Sequence, residues 1–261
     1  MVELSFWDHL VELTKRMRVI LVSLIVSTIV VMTVPVTLDF TSFLSTTNPF
    51  YPTMATLVIR DFQQKFLPPE AQLLPMSPFA PMEVYMLISV VLGVVISTPV
   101  ISYELYKFLN PALHKHERKA ALQFVASFAG LFIFGFMLGY LYIVPTTIRT
   151  AVIFSKMLGL STLLYSFNEF FSMVSLSLLL SSMIFTFPIY IVLLVKVGIL
   201  HTRQLTKNRK YLYGGVLILI AFLDPEPGLV TEGILFIPII ILLETSIIIA
   251  KRIEKKREAA T

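Results

Sequence analysis

The 261-residue chain is 56% hydrophobic and only 14% charged, with a mean hydropathy of +0.84. A soluble domain carries about a quarter charged residues, and here the apolar residues come in long uncharged runs, so the composition reads as an integral membrane protein. Cys is absent, which excludes disulfides, thiolate metal sites and cysteine nucleophiles, and the net charge of +5 comes from Lys and Arg set beside apolar runs, a pattern of membrane orientation rather than of nucleic-acid binding.

In chain order, the first element is SFWDHLVELTKRMRV. Phe6, Leu10, Leu13 and Met17 fall on one helical face, and Asp8, Glu12, Lys15 and Arg16 lie towards the other. This predicts an amphipathic helix over 1–18 that lies on the cytoplasmic surface before the chain turns into the membrane. A first span follows over about 19–36. Its apolar run is longer than a signal-peptide core and no small-residue cleavage site follows, so it reads as a retained span. Residues 38–81 form a long outer loop, in which MATLVIRDFQQKFL has the pattern of a short amphipathic helix at the membrane surface. The second span covers about 82–103. KFLNPALHKHERKA then sets a dense charge cluster between two uncharged runs, with Asn110-Pro111 as a helix start. The third span covers about 121–144 and contains GFMLG, a G-x-x-x-G pair that either lets helices approach closely or is simply tolerated in a membrane helix. An outer segment, 145–167, has room for another surface helix. The fourth span, about 170–195, carries Ser172, Ser175, Ser177, Ser181, Ser182 and Thr186, hydroxyls that either bond their own backbone, the expected role for most of them, or join helices. A short fifth span, about 211–223, and a sixth, about 231–250, are joined by LDPEPG as a hairpin that under-fills the bilayer. A basic tail closes the chain at 251–261.

Charge sets the orientation. Lys and Arg number three before the first span, four after the second, five after the fourth and five after the sixth, whereas Arg60, Lys65, Arg149 and Lys156 are all that the other side holds. The positive-inside rule then puts both termini in the cytoplasm. Pro35, Pro99, Pro188 and Pro238 fall in or near spans and predict kinked helices and a bent, concave bundle.

Several residues carry candidate chemistry. Glu12 either pairs with Arg16 one turn on or serves as a binding carboxylate. Glu117 is the one acid among Lys115, Arg118 and Lys119; it either offsets that charge or binds a ligand. Glu244 interrupts the sixth span, and either functions at depth or reaches the cytoplasmic interface. His114 and His116 point in different directions on a helix and have no completing ligand, so no metal site is expected. No phosphate-binding Gly-rich loop, serine–histidine pair or H-E-x-x-H motif occurs, and neither an enzyme nor a cofactor is expected. The alternative class is a secondary transporter or channel subunit, but no internal repeat is visible.

FWDHLVELTKRMR, the stretch SPFAPMEVYMLISVVLGVVISTPVISYELYKFLNPALHKHER, the fourth-span run NEFFSMVSLSLLLSSMIFTFPIYIVLL and the closing IPIIILLE resemble, in that order, the TatC family, the multi-span subunit of the twin-arginine protein translocase. The resemblance covers nearly the whole chain. It implies one membrane domain: an all-α, glove-like bundle of six transmembrane helices, with the last two short and both termini cytoplasmic, in a prokaryotic plasma membrane. It implies a receptor for twin-arginine signal peptides on folded precursors, working with small single-span TatA/TatB-type subunits and the proton-motive force. A homo-oligomer is left open; no nucleic acid or cofactor is implied. The family's two recognition carboxylates map to Glu12 and Glu117, and Phe108, Pro111 and Leu113 match neighbouring motif positions. Three positions depart from the family pattern. Thr14 stands where an Arg is common, Thr186 stands where an intramembrane Glu precedes the Pro of the fourth span, and Gly228 aligns with an outer acid. The intramembrane polar groups left for partner contact are then Thr186 and Glu244.

Overall fold

The computed structural model describes residues 6–35, 52–109, 118–160, 163–223 and 229–258, which are mostly helical. The helices are α1 (Phe6–Thr33), α2 (Met54–Phe66), α3 (Ala80–Leu109), α4 (Arg118–Leu138), α5 (Val144–Met157), α6 (Phe167–Val197), α7 (Thr202–Lys207), α8 (Arg209–Leu223) and α9 (Leu229–Glu258). Four helical stretches among the described residues are long and apolar enough to cross a membrane: Leu10–Thr33, Ala80–Phe108, Leu122–Met157 and Phe167–Val197. The expected surface helix MATLVIRDFQQKF forms as α2, capped by Thr53, whose hydroxyl accepts from the Thr56 N–H.

Four expectations are corrected. The amphipathic segment 1–18 is not a separate surface helix: α1 runs unbroken from Phe6 to Thr33, because nothing in TKRMRVIL breaks a helix. The third apolar helix does not end near 144. It passes through one π-helical turn, Gly139–Ile143, and continues as α5. The last two helices are not both short. α8 has 15 residues, but α9 has 30, since the basic tail simply continues the helix. Finally, β1 (Ala71–Leu74) and β2 (Leu163–Ser166) form a two-stranded parallel pair that the apolar pattern did not announce.

The chain divides into two compact units, residues 1–100 with 148–175, and 101–147 with 176–261. In the first, the parallel register Leu74↔Ser166 brings together the segments that lead into α3 and α6. Asn168, in the first turn of α6, then donates its side-chain N–H to Glu83 in the first turn of α3. Tyr85 on α3 closes this unit. Its hydroxyl donates to the Met32 carbonyl at 2.6 Å and lies 3.1 Å from the Thr53 hydroxyl. Met32 lies in the last turn of α1, whose carbonyls lack helical partners. One phenol therefore ties the end of α1 to the cap of α2. Gly93 of α3 sits against Thr28 of α1, whose backbone N and Cα would be 3.1 and 3.2 Å from an added Cβ.

In the second unit, α4 and α6 meet backbone to backbone. A Cβ at Gly135 would lie 2.9 Å from Phe185 Cβ, Ser181 O and Ser182 Cα, and one at Gly139 would lie 3.1 Å from Leu178. The G-x-x-x-G pair is thus a packing surface, sealed by the Ser181 hydroxyl donating to Gly135 O at 2.7 Å. Leu235, Ile239, Leu243 and Ile247 line one stripe of α9 and pack with Val216 and Ile220 of α8, so the two helices form the expected pair. The connection 224–228 lies outside the described residues.

Two substitutions test this account. Tyr85→Phe leaves the Met32 carbonyl unpaired and should cost about 1–3 kcal/mol, seen as a lower midpoint in thermal unfolding in detergent. Gly135→Leu should cost about 1–3 kcal/mol or more by overpacking, whereas Gly130→Leu on the same helix, where an added Cβ meets nothing within 4 Å, should leave the midpoint unchanged.

Candidate functional site

Glu12 sits in the second turn of α1. Arg16, one turn on, donates through Nε at 3.1 Å and also through Nη2, both to Oε1 of Glu12. Among the described residues nothing is bound at Oε2. The i,i+4 pair expected from the sequence therefore forms, and it leaves half of the carboxylate open. Both side chains are only partly exposed, 28% for Glu12 and 17% for Arg16, so the charge is oriented and partly sheltered but still reachable. Thr14 places no cation here; its hydroxyl donates to the Leu10 carbonyl at 2.9 Å. The predicted apolar face, through Leu10, Leu13 and Met17, is exposed on the chain.

Phe108 is half-buried in the last turn of α3. That turn is anchored by Tyr106, which is buried in an aromatic run with Phe124 (5.3 Å between centroids), Phe128 and Tyr190. Lys196, at the end of α6, donates to the Tyr106 hydroxyl at 3.0 Å and stands 5.3 Å from its ring centroid. Lys107 lies 4.2 Å over Tyr103 and 3.8 Å from Glu104. The last turn of α3 and the start of α4 are thus held to one another through Tyr106 and Phe124. Residues 110–117, with Pro111, Leu113, Glu117 and the expected Asn110-Pro111 helix start, lie outside the described residues. Glu12 belongs to the first unit and Phe108 to the second.

The two intramembrane candidates have partners. Thr186 is buried and donates to the Met183 carbonyl at 2.7 Å, two residues before Pro188. Glu244 accepts from the Tyr213 hydroxyl and lies 3.3 Å from Arg209 Nη1, both on α8. Arg209 is the first residue of α8, so Glu244 is answered by the end of that helix that also carries Lys210.

Two arrangements escaped the sequence. The Lys196–Tyr106 bond joins residues 90 positions apart, although Lys196 as the terminal charge of an apolar span was a signal of an anchored helix end. Glu254, buried on α9, accepts from the Thr202 backbone N–H at 3.1 Å and from its hydroxyl. It is one of two acids among the basic residues of the tail, and its position was the available signal. Among the described residues no group of His, Asp and Glu could hold a metal ion.

Comparison with known proteins agrees with this geometry. The family model for Sec-independent protein translocase protein (TatC) matches residues 8–238. Sec-independent protein translocase protein TatC of Halalkalibacterium halodurans is 28% identical over 94% of this chain and 88% of its own length. TatCd of Bacillus subtilis is 30% identical over 84% of this chain and 86% of its own. Two crystal structures of the twin arginine translocase receptor TatC share the fold, each at 24% identity. One, in DDM, has a TM-score of 0.71 over 93% of this chain and 99% of the other, and the second has 0.68 over 94% and 99%. With a family model that spans most of the sequence, relatives that match it nearly end to end and the same fold in solved members, the chain belongs to the TatC family of Sec-independent protein translocase proteins.

Proposed function

We propose that this chain is the signal-peptide receptor of a twin-arginine translocase, and that Glu12 and Glu117 are the carboxylates that take the two guanidinium groups of the signal. The observation that carries the reading is the half-engaged carboxylate of Glu12. Arg16 holds Oε1, which fixes the group in direction, and Oε2 remains for an incoming donor. A guanidinium offers a planar fork of N–H donors to such an oxygen, whereas a lysine ammonium offers a point charge. Phe108, Pro111 and Leu113 shape the surface around Glu117. The anchoring of Tyr106 by Lys196 supports this assignment, because it steadies the helix end from which that loop leaves.

In this reading the chain is one multi-pass domain in a prokaryotic plasma membrane, with both termini cytoplasmic. Six spans are assigned: the four long apolar stretches, then α8 and the apolar part of α9. Fifteen residues make α8 about 22 Å long, against a hydrocarbon core of roughly 30 Å, so the bilayer thins locally around it. Thr186 and Glu244 are the polar groups assigned to contact with small single-span subunits, and export of folded precursors draws on the proton-motive force. No covalent step is assigned to any residue.

Binding of a labelled twin-arginine peptide to the purified chain tests the site. Glu12→Gln and Glu117→Gln should each weaken binding about tenfold or more, since a charge-assisted contact is worth about 1.5–3 kcal/mol, and should each cut the preference for Arg-Arg over Lys-Lys about tenfold. Equal binding of both peptides to the unaltered chain would reject the assignment. Topology is tested on the same chain, which has no native Cys to replace. A single cysteine at Lys207→Cys should react with an impermeant maleimide only from the cytoplasmic side, and one at Gln64→Cys only from the outer side.

A further inference from the structure

The second unit contains a cavity of about 740 Å³ that signal-peptide binding does not use. One wall is α7, through Arg203 and Gln204. The other is the late part of α9, through Lys251, Glu254 and Lys255. Three cations thus face a single carboxylate, and that carboxylate is already committed to the Thr202 N–H and hydroxyl. Lys251 and Lys255 stand at i and i+4 on α9, a spacing at which like charges destabilise a helix. Among the described residues neither of them, nor Arg203, has an ion-pair partner. An arginine with two lysines around a cavity is the donor set that phosphate oxygens fill.

The surroundings decide which phosphate. One turn before Lys251, Ile248 and Ile249 are exposed, and so is Ile199, two residues before His201 on the cavity wall. A free phosphate gains nothing from these side chains, whereas an amphiphile can place its charged end in the cavity and its chains along them. We propose that this cavity binds the phosphodiester headgroup of an anionic phospholipid, with the acyl chains against the exposed isoleucines of α9. Basic pockets where helices leave the membrane on the cytoplasmic side are suited to anionic headgroups. The proposal rests on the multi-span reading of the helices and not on the assignment of Glu12 and Glu117.

The test is native mass spectrometry of the purified full chain in detergent, titrated with short-chain phosphatidylglycerol and with phosphatidylcholine of the same chain length. The unaltered protein should retain phosphatidylglycerol about tenfold more strongly, the scale of one charge-assisted contact. Lys251→Gln/Lys255→Gln should lose that preference, Lys251→Arg/Lys255→Arg should keep it, and Lys156→Gln, a cation of the first unit, should also keep it. Retained preference in the Gln pair would overturn the proposal. So would displacement of the lipid by inorganic phosphate at equal concentration, which would assign the cavity to a free anion. No signal peptide is present in this assay, so its failure is distinguishable from failure of the receptor reading.

Discussion

A hydroxyl or carbonyl in hydrocarbon must find its partner inside the chain, because no water is there to supply one. This constraint organises both units. Thr28, Ser89, Thr98, Ser182 and Thr245 each turn a hydroxyl back to the carbonyl four residues earlier. Such bonds satisfy the side chain locally and leave the helix surface apolar. Among the described residues, two hydroxyls instead reach a backbone carbonyl of another helix: Tyr85 on the end of α1 and Ser181 on Gly135 of α4. Each closes a place where backbone would otherwise be short of a donor or sealed against a neighbour without a side chain between. Among the described residues, the buried hydroxyls of Thr147, Ser175 and Ser177 have no bonding partner.

The same logic governs charge. Glu12 has Arg16, Glu70 has Lys156 at 2.6 Å, Glu244 has Arg209 with Tyr213, and Glu254 has Thr202. Each acid is engaged, but to different extents. Glu254 accepts two donors and is buried, which suits a structural cap. Glu12 likewise accepts two donors at a single oxygen, but its side chain is 28% exposed, so burial rather than the number of donors distinguishes the two acids.

The parts legible in the sequence were those set by local pattern: the long apolar stretches, the amphipathic α2, the Glu12–Arg16 pair and the short α8. Each depends on residues within a few positions of one another. The parts that were not legible depend on partners far apart in the chain. The β1–β2 pair joins segments about 90 residues apart, and nothing in AQLL or LLYS alone demands it. The π turn at Gly139–Ile143 lies where Gly139 approaches Leu178 and Ser181 of α6, a contact that composition does not reveal. The unbroken α1 is hidden in the sequence because a change from charged to apolar side chains reads as a change of direction, although the backbone has no reason to bend there. The candidate residues Pro111 and Leu113 rest on resemblance alone, whereas Glu117 also stands out as the one acid among Lys115, Arg118 and Lys119.

If Glu12 and Glu117 take the two guanidinium groups as proposed, the choice of arginine over lysine in a signal follows from local chemistry. A carboxylate already bonded through one oxygen cannot offer a symmetric two-oxygen face, so Glu12 by itself gains only part of what a free bidentate pair gains. Selectivity must then come from a second carboxylate that meets the second guanidinium, and two partial contacts multiply where one would discriminate weakly. If each separates Arg from Lys by about 1.4 kcal/mol, a factor near ten, the pair reaches about a hundredfold. That arithmetic needs both acids to be held in direction before the peptide arrives. Arg16 does this for Glu12, and the Tyr106–Lys196 anchor with Phe124 holds the helix ends on either side of the loop that carries Glu117. Pre-orientation of the receptor lowers the ordering cost of binding, which leaves the difference between the two side chains to be read by geometry.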